Sequence, residues 1–439
     1  MTRSIKLAVA AAMVLGTTSA FATNGDNMIA FGAKSTGMGG TGIAYSFGAE
    51  SALVNPALIG GNEVSFGGTY FMPKVKFKNE PNYQPNDYKN SKADQSVIPE
   101  VAVSTQVNEN FAWGVGMFGV AGMGVDYRHD TAVFGSDESQ YMGTMSGTNQ
   151  MLTNLQIMRF AVPLAYTVEG FKIGLAPVLQ YGSLSISYNN GAYFSSNGTP
   201  VNVMTGYGVS QDFGFGYQIG AAYDFGKVGV DGLMLGAKYQ SAIDMEYKDQ
   251  IAKAASNFGL SGFDDHLEQP AEIGVGIAYT LEGNTLTFDY KQIQWGSAKG
   301  YKDFGWENQN VFAVGYQYAA DSWALRLGFN YAKNPIKEQQ GADMMAGDYQ
   351  GAAINFFNLA GFPAVVEQHY TIGGSYAFTK QLGLDLAYVY SPEIEVSYDT
   401  SAMTQAQIYA AGGDPTGVTS EAKVKHAQQA VSVQLTYAF

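Results

Sequence analysis

The sequence predicts an all-β protein, a fourteen-stranded antiparallel transmembrane β-barrel. Three observations predict it. Large apolar residues alternate with small or polar ones in segment after segment, almost to the last residue. The connections between these segments are short and long by turns. Glycine (54), tyrosine (29) and phenylalanine (26) are abundant, charged residues make up only 14%, and cysteine is absent. Alternation with a period of two places one set of side chains on each face of a strand. In a soluble sandwich the large apolar face is the core, and in a barrel it meets lipid, so periodicity alone does not separate the two. Loop lengths do. An even-numbered barrel has tight periplasmic turns, large extracellular loops and both termini on the periplasmic side, whereas a sandwich has no reason to sort its loops by parity.

At the N-terminus, Arg3 and Lys6 precede an apolar run from Leu7 to Gly16, and Ala20-Phe21-Ala22 offers small residues for a signal peptidase. Residues 1–22 therefore read as a secretory signal peptide, with the mature chain starting at Thr23. That run is too short to span a bilayer, and no later segment offers about 18 consecutive apolar residues, so helical anchoring is not expected. Without cysteine there is no disulfide framework and no thiolate metal site. A net charge of −14 disfavours nucleic acid as a partner.

Fourteen candidate strands follow in order, at about 63–77, 95–107, 110–126, 153–168, 171–188, 210–225, 231–246, 268–281, 284–296, 307–319, 322–333, 365–379, 382–398 and 422–439. In "SWALRLGFNY" the apolar face is Trp323, Leu325, Leu327, Phe329 and Tyr331, against Ala324, Arg326, Gly328 and Asn330. In "PAEIGVGIAY" Ile273, Val275, Ile277 and Tyr279 oppose Glu272, Gly274, Gly276 and Ala278. "NTLTFDYKQ" and the terminal "VSVQLTYAF" repeat the pattern. Short connections near Asn108, Glu169, Gly226–Gly229, Glu282, Ala320 and Lys380 interleave with long ones. Trp113, Trp295, Tyr318 and Trp323, near strand ends, suit interfacial aromatic girdles. Phe439, with Tyr437 on the same face, fits a terminal aromatic signal for the barrel assembly machinery.

The long loops are apolar, where a general porin would fold charged residues inward over a wide aqueous lumen. "KDQIAKAASNFGLSGFDDH" sets Ile251, Ala254, Ala255 and Phe258 at helical spacing, with Leu260 beyond them. A second loop holds Tyr193, Phe194, Val201, Val203, Met204 and Tyr207, and a third reads "INFFNLAGF" around Phe356 and Phe357. Met142, Met145, Met344 and Met345 add adaptable apolar side chains. Such surfaces either form a binding groove or pack on one another as a cap, and the two are compatible.

Inward faces carry a sparse charged set, Lys238, Glu272, Asp289, Lys291 and Arg326. Arg159, Lys238 and Arg326 are the candidate ligand-binding cations, since a guanidinium facing the lumen can hold a carboxylate. The alternative for Arg326 is pairing with Asp289 and Glu272. No catalytic residue set emerges. His129, His266, His369 and His426 fall near loop or strand ends without metal-like spacing and read as solvated or girdle residues. "GAKST" at Gly32–Thr36 lacks the order of a phosphate loop. "GSDES" is a weak acidic candidate for calcium, and no cofactor or metal is expected.

Several stretches together resemble the FadL/TodX family, the long-chain fatty acid and aromatic hydrocarbon transporters of Gram-negative outer membranes. They are "TNGDNMIAFGAKSTGMGGTGIAYSFGAESALVNPALI", "QPAEIGVGIAYTLEGNTLTFDYKQIQWGS", "NQNVFAVGYQYAADSWALRLGFNYAKNPI", "TIGGSYAFTKQLGLDLAYVY" and the closing "YAF". The resemblance implies an N-terminal hatch, residues 23–62, inside a barrel of residues 63–439, with Asn55, Pro56 and Ala57 as the hatch motif. It implies a capture groove between the loops at about 189–209 and 247–267, which contain Phe194, Val203, Met204, Ile251, Phe258 and Leu260. It further implies sideways release through a kink in the third strand, here "FAWGVGMFGVAGMGVDY" with Gly116, Gly119, Gly122 and Gly124. Passive uptake of fatty acids or aromatic hydrocarbons follows, with outer-membrane lipids and lipopolysaccharide as neighbours. A general or ion-selective porin for small polar solutes is the competing reading.

Overall fold

The computed structural model describes residues 23–439 apart from 84, 86, 129–150, 195–199, 207, 341–348 and 411, and, within strands and helices, leaves the side chains of 189–194, 200–205 and 410 undescribed. Fourteen antiparallel strands form the wall. They are β1 (Glu63–Pro81), β2 (Ser96–Gln106), β3 (Phe111–Asp126), β4 (Met151–Ala161, continued as Leu164–Val168), β5 (Phe171–Phe194), β6 (Ser210–Asp224) and β7 (Leu233–Gln240). Then come β8 (Glu272–Leu281), β9 (Asn284–Ile293), β10 (Gln309–Ala319), β11 (Trp323–Ala332), β12 (Gln368–Ala377), β13 (Leu382–Asp399) and β14 (Ser420–Ala438).

Closure comes from β14, which pairs with β1 from Ser420↔Pro81 to Ala438↔Glu63. A closed ladder satisfies every strand within the hydrocarbon without water, which is why a sheet that crosses a bilayer has no free edge. The faces are those of a membrane barrel. Leu325 and Leu327 are 57% and 54% exposed while their neighbours Arg326 and Asn330 are 5% and 0% exposed. Large apolar residues thus point out to lipid and polar ones point in, the reverse of a soluble core. Trp113, Tyr318 and Trp323 lie on the outer face as girdle positions require, but Trp295 does not. The 3-10 turn Trp295–Ser297 that ends β9 swings its ring inward, where it is fully buried.

The connections alternate as the loop lengths predict. Val168–Phe171 and Leu281–Asn284 are two-residue turns whose central residues, Glu169-Gly170 and Glu282-Gly283, all have positive φ. That is the turn whose twist matches a right-handed strand pair, with glycine supplying one of the two left-handed positions.

The extracellular side is built differently from expectation in three places. Within 189–209, β5 runs on to Phe194 and pairs with a strand Pro200–Gly206. The regular ladder of β7 stops at Gln240 instead of near residue 246, leaving isolated bridges Ile243↔Gln269 and Glu246↔His266. "INFFNLAGF" belongs to a helix, not to an irregular loop. Inside the barrel and over its mouth lie α1 (Ala33–Gly37), α2 (Ser51–Val54), α3 (Ile251–Asn257), α4 (Gln350–Gly361) and α5 (Ser401–Ala410).

Candidate functional site

Residues 23–59 are almost wholly buried within the wall and bonded to its inward side chains. The amides of Gly42 and Ile43 both donate to Oδ2 of Asp289 on β9, at 2.7 and 2.9 Å. Gln434 on β14 accepts from the amide of Ala33 at 3.1 Å, and Thr371 on β12 accepts from that of Gly39 at 3.0 Å. "GAKST" lies within this plug, with Gly32 as the N-cap of α1 and Ala33–Thr36 in it. Lys34 pairs with Glu50 at 3.3 Å, so two hatch segments are tied to each other as well.

The Asn55-Pro56-Ala57 motif docks on a bare patch of wall. Asn55 caps the 3-10 turn Pro56–Leu58 by accepting from the amide of Ala57 at 3.1 Å, and its Nδ2 donates to the carbonyl of Ile43 at 2.7 Å. Gly174 on β5 and Gly220 on β6 are opposite one another in register, and Gly236 lies on β7. A methyl group on Gly174 would collide with the Pro56–Ala57 peptide, on Gly220 with Oδ1 of Asn55, and on Gly236 with the carbonyl of Ile43. These glycines serve a close approach of one backbone to another.

The regular pairing of the wall is interrupted at β3. Its pairing with β2 ends at Glu100↔Phe118, and its pairing with β4 shifts register between Gly119 and Ala121. From Gly116 on, strict inside–outside alternation is lost and every residue to Asp126 is buried. The hatch takes up the freed edge: Asn27 bridges to Ala121, and Gly122 donates to the carbonyl of Asp26 at 3.0 Å. Farther along, Lys92 donates to the carbonyl of Asp126 at 2.8 Å. The expected glycines frame this irregularity. Gly119 packs directly on Ile98 of β2 and Gly124 on the Thr153 backbone of β4, while Gly116 faces Ala52 of α2.

Above the hatch, the loops close into an aromatic lid. Ile251 and Leu260 are buried and Phe258 is partly buried, so the greasy face of α3 turns inward. Phe258 sits 4.9 Å from Tyr188 and 5.6 Å from Phe357 between ring centroids. Phe357 of α4 stacks on Phe304 at 5.0 Å and 11°. Trp295, Tyr301 and Trp306 form a second group, with centroids 4.6 to 5.1 Å apart. Alternation does not single out Tyr301 and Trp306, although the aromatic density of their loop signals them. Phe194, Val203 and Met204, expected on the partner loop, have side chains outside the described residues, as do Tyr193 and Val201; Met142, Met145, Tyr207, Met344, Met345, His129 and "GSDES" lie outside them altogether.

Between lid and wall is an apolar chamber lined by Met123 of β3, Leu184, Ile251, Leu267, Phe304 and Trp306, among others. It has a volume of about 20 Å³, room for about one water. Tyr301 borders it and donates its hydroxyl to Asp26 of the hatch, while Gln269 donates to the same carboxylate at 3.1 Å. Burial, together with the charge of Asp26, raises the Tyr301 pKa well above the usual tyrosine value, which keeps the hydroxyl a donor. At the outer rim Lys299 and His266 both bond Asp244. Burial pushes that carboxyl up, but the two partners outweigh it and hold its pKa below the ordinary value.

The three candidate cations separate. Lys238 pairs with Glu272 at 3.2 Å. Arg326 donates to Gln317 at 2.7 Å and to Ser375 at 2.5 Å, and pairs with Asp385 on β13 at 3.6 Å. Its carboxylate partner is therefore neither Asp289 nor Glu272. Arg159 is different: Nε donates to Gln180 at 2.8 Å, while Nη2 is buried with no hydrogen-bond partner. Two histidines are neither solvated nor girdle residues. His369 and His426 are buried inward, His426 Nδ1 lying 2.8 Å from the carbonyl of Pro363. Among the described residues no group of histidines and carboxylates is arranged to hold a metal.

A family model described as "Outer membrane protein transport protein (OMPP1/FadL/TodX)" matches residues 11–348. The chain belongs to this family. It is accordingly a transport protein of the Gram-negative outer membrane. It is 23% identical over 435 residues to outer membrane protein P1 of Haemophilus influenzae, covering 86% of this chain and 89% of that one. Its fold is shared with a Pseudomonas aeruginosa FadL homologue, with a TM-score of 0.64, 16% identity, and coverage of 94% of this chain and 100% of the other. The P. putida toluene transporter TodX has the same fold, with a TM-score of 0.63, 17% identity, and coverage of 93% and 99%. The fourteen strands and closed ladder are those of the family.

Proposed function

We propose that the protein carries small hydrophobic molecules passively across the outer membrane, by capture between the extracellular loops, passage through the apolar chamber and sideways release at β3. The carrying observation is that Met123 of β3 lines the chamber within the stretch of β3 that has left β2. A molecule in the chamber is thus one strand away from lipid. Apolar burial of roughly 25 cal/mol per Å² drives capture, and no nucleotide is needed. The small closed volume requires α3, α4 or the hatch edge at Asp26 to move when a ligand enters. A plug bonded to the wall around its circumference argues against an open polar pore.

The preferred cargo is an uncharged arene, the class named for the similar TodX. The chamber's lining side chains carry no charge, so a carboxylate there would be desolvated without a partner. Arg159 favours a second cargo, a fatty acid whose head group reaches the unpartnered Nη2. Labelled toluene and oleate, offered to a transporter-deficient strain with and without the protein, test the reading. Uptake that depends on the protein is expected for one or both, and equal entry of small sugars would make it a porin.

A further inference from the structure

The outward face of β1 changes character partway up. Phe66, Tyr70 and Met72 belong to the lipid-facing stripe, and the next outward positions are Lys74, Lys76 and Lys78, while Val75 and Phe77 remain buried inside. The paired strand continues the pattern. In register, Lys423 lies opposite Lys78 and Lys425 opposite Lys76. Five ammonium groups therefore share one outward strip in a chain whose net charge is −14. At about 3.3 Å per residue, the lysines of β1 begin one outward position beyond Met72 and extend about 13 Å farther along the strand, away from its periplasmic end. Outward positions farther round the wall are neutral, such as Asn310 on β10 and Gln368 on β12, while the adjacent β13 presents Glu393 and Glu395.

We propose that this strip binds the phosphates of an outer-leaflet glycolipid, lipopolysaccharide being the membrane component of that chemistry. The lysines are held ready rather than free to roam. Tyr88 is sandwiched with Lys78 and Lys425 at 4.9 and 4.8 Å from its ring centroid, and its hydroxyl donates to Glu395. Four carboxylates share the surface: Glu393 pairs with Lys76, Glu395 with Lys425, Glu80 with Lys78 and Lys423, and Glu421 with Lys423. Lys76–Glu393 is exposed on both sides and Lys425–Glu395 on its carboxylate side, and such pairs are weak, so a phosphate dianion displaces these carboxylates from their ammonium groups at little cost. Lys74 has no described carboxylate within ion-pair distance and stands nearest the lipid.

Native mass spectrometry of the full chain in detergent tests this, with bisphosphorylated lipid A and its dephosphorylated counterpart as probes. The wild-type protein retains the phosphorylated probe, and the combined substitution Lys74→Gln, Lys76→Gln, Lys425→Gln weakens retention by on the order of a hundredfold. Lys172→Gln with Lys227→Gln, at the periplasmic end, changes nothing. Equal retention of both probes by the wild type overturns the proposal whether or not the triple variant folds. So does displacement by inorganic phosphate alone, which would mark a free-anion site. Retention abolished by a chelator yet untouched by the lysine changes would assign the strip to its carboxylates and bridging cations instead.

Discussion

The carboxamide of Asn55 lies directly over Gly220, so that a methyl group on Gly220 would collide with Oδ1 of Asn55. The hatch is therefore seated by what the wall lacks as much as by what it offers. Gly220→Val should lift the Asn55-Pro56-Ala57 turn while leaving the wall's hydrogen bonds unchanged. The expected result is a heat-modifiable, folded barrel with raised permeability to small polar solutes in liposome swelling. Asn55→Ala should act the same way, losing a buried hydrogen bond to Ile43 worth about 1–3 kcal/mol. Barrels that fail to assemble would show the motif to be purely structural.

Arg326 and Arg159 should part company. Removing the Arg326 guanidinium leaves buried Asp385 without its cation, a change that typically costs about 3–5 kcal/mol. Arg326→Gln is thus expected to lower thermal stability in detergent and to leave the preference between oleate and toluene unchanged. Arg159→Gln should lower oleate uptake selectively and spare toluene. Equal loss of both ligands would remove the carboxylate role from Arg159.

Phe258 joins α3 to both Tyr188 and α4. Phe258→Ala should weaken uptake at low ligand concentration and leave the saturated rate nearly unchanged, since it alters capture rather than release. An unchanged concentration dependence would place capture elsewhere.

Phe439 is 61% exposed at the end of β14 and donates its amide to Asn62, closing the seam beside the hatch exit. Deleting it should reduce surface levels through poorer recognition by the barrel assembly machinery. Normal surface levels in intact cells would refute that role.

The wall was legible because lipid inverts the usual burial rule while keeping the period of two, and because turn length sorts by side. Arg326 shows where such reading stops. Its register neighbour on β12 is Gly373, which has no side chain to block it, so the guanidinium leans across that strand to Asp385 on β13. Contacts that skip a strand follow from strand tilt and bare glycines, neither of which a linear pattern displays. His369 was readable, since Tyr370 beside it faces lipid and alternation turns the histidine inward. Trp295 was not, because one 3-10 turn at a strand end reverses the side it serves. The helix α4 lacks a clean apolar stripe, being buried on most sides, so helical periodicity could not announce it.

Release through the wall at β3 requires that strand to part from β2, and a reversible staple tests this. The Cβ that a side chain at Gly119 would have lies 3.7 Å from Cβ of Ile98, within disulfide range, and the chain has no cysteine of its own. The measurement is uptake of labelled toluene and oleate by Ile98→Cys with Gly119→Cys, before and after reduction. Background uptake is expected while the bond pins β3 to β2 at the fork, and recovery when it is reduced. Full uptake by the oxidised, correctly folded protein would contradict it.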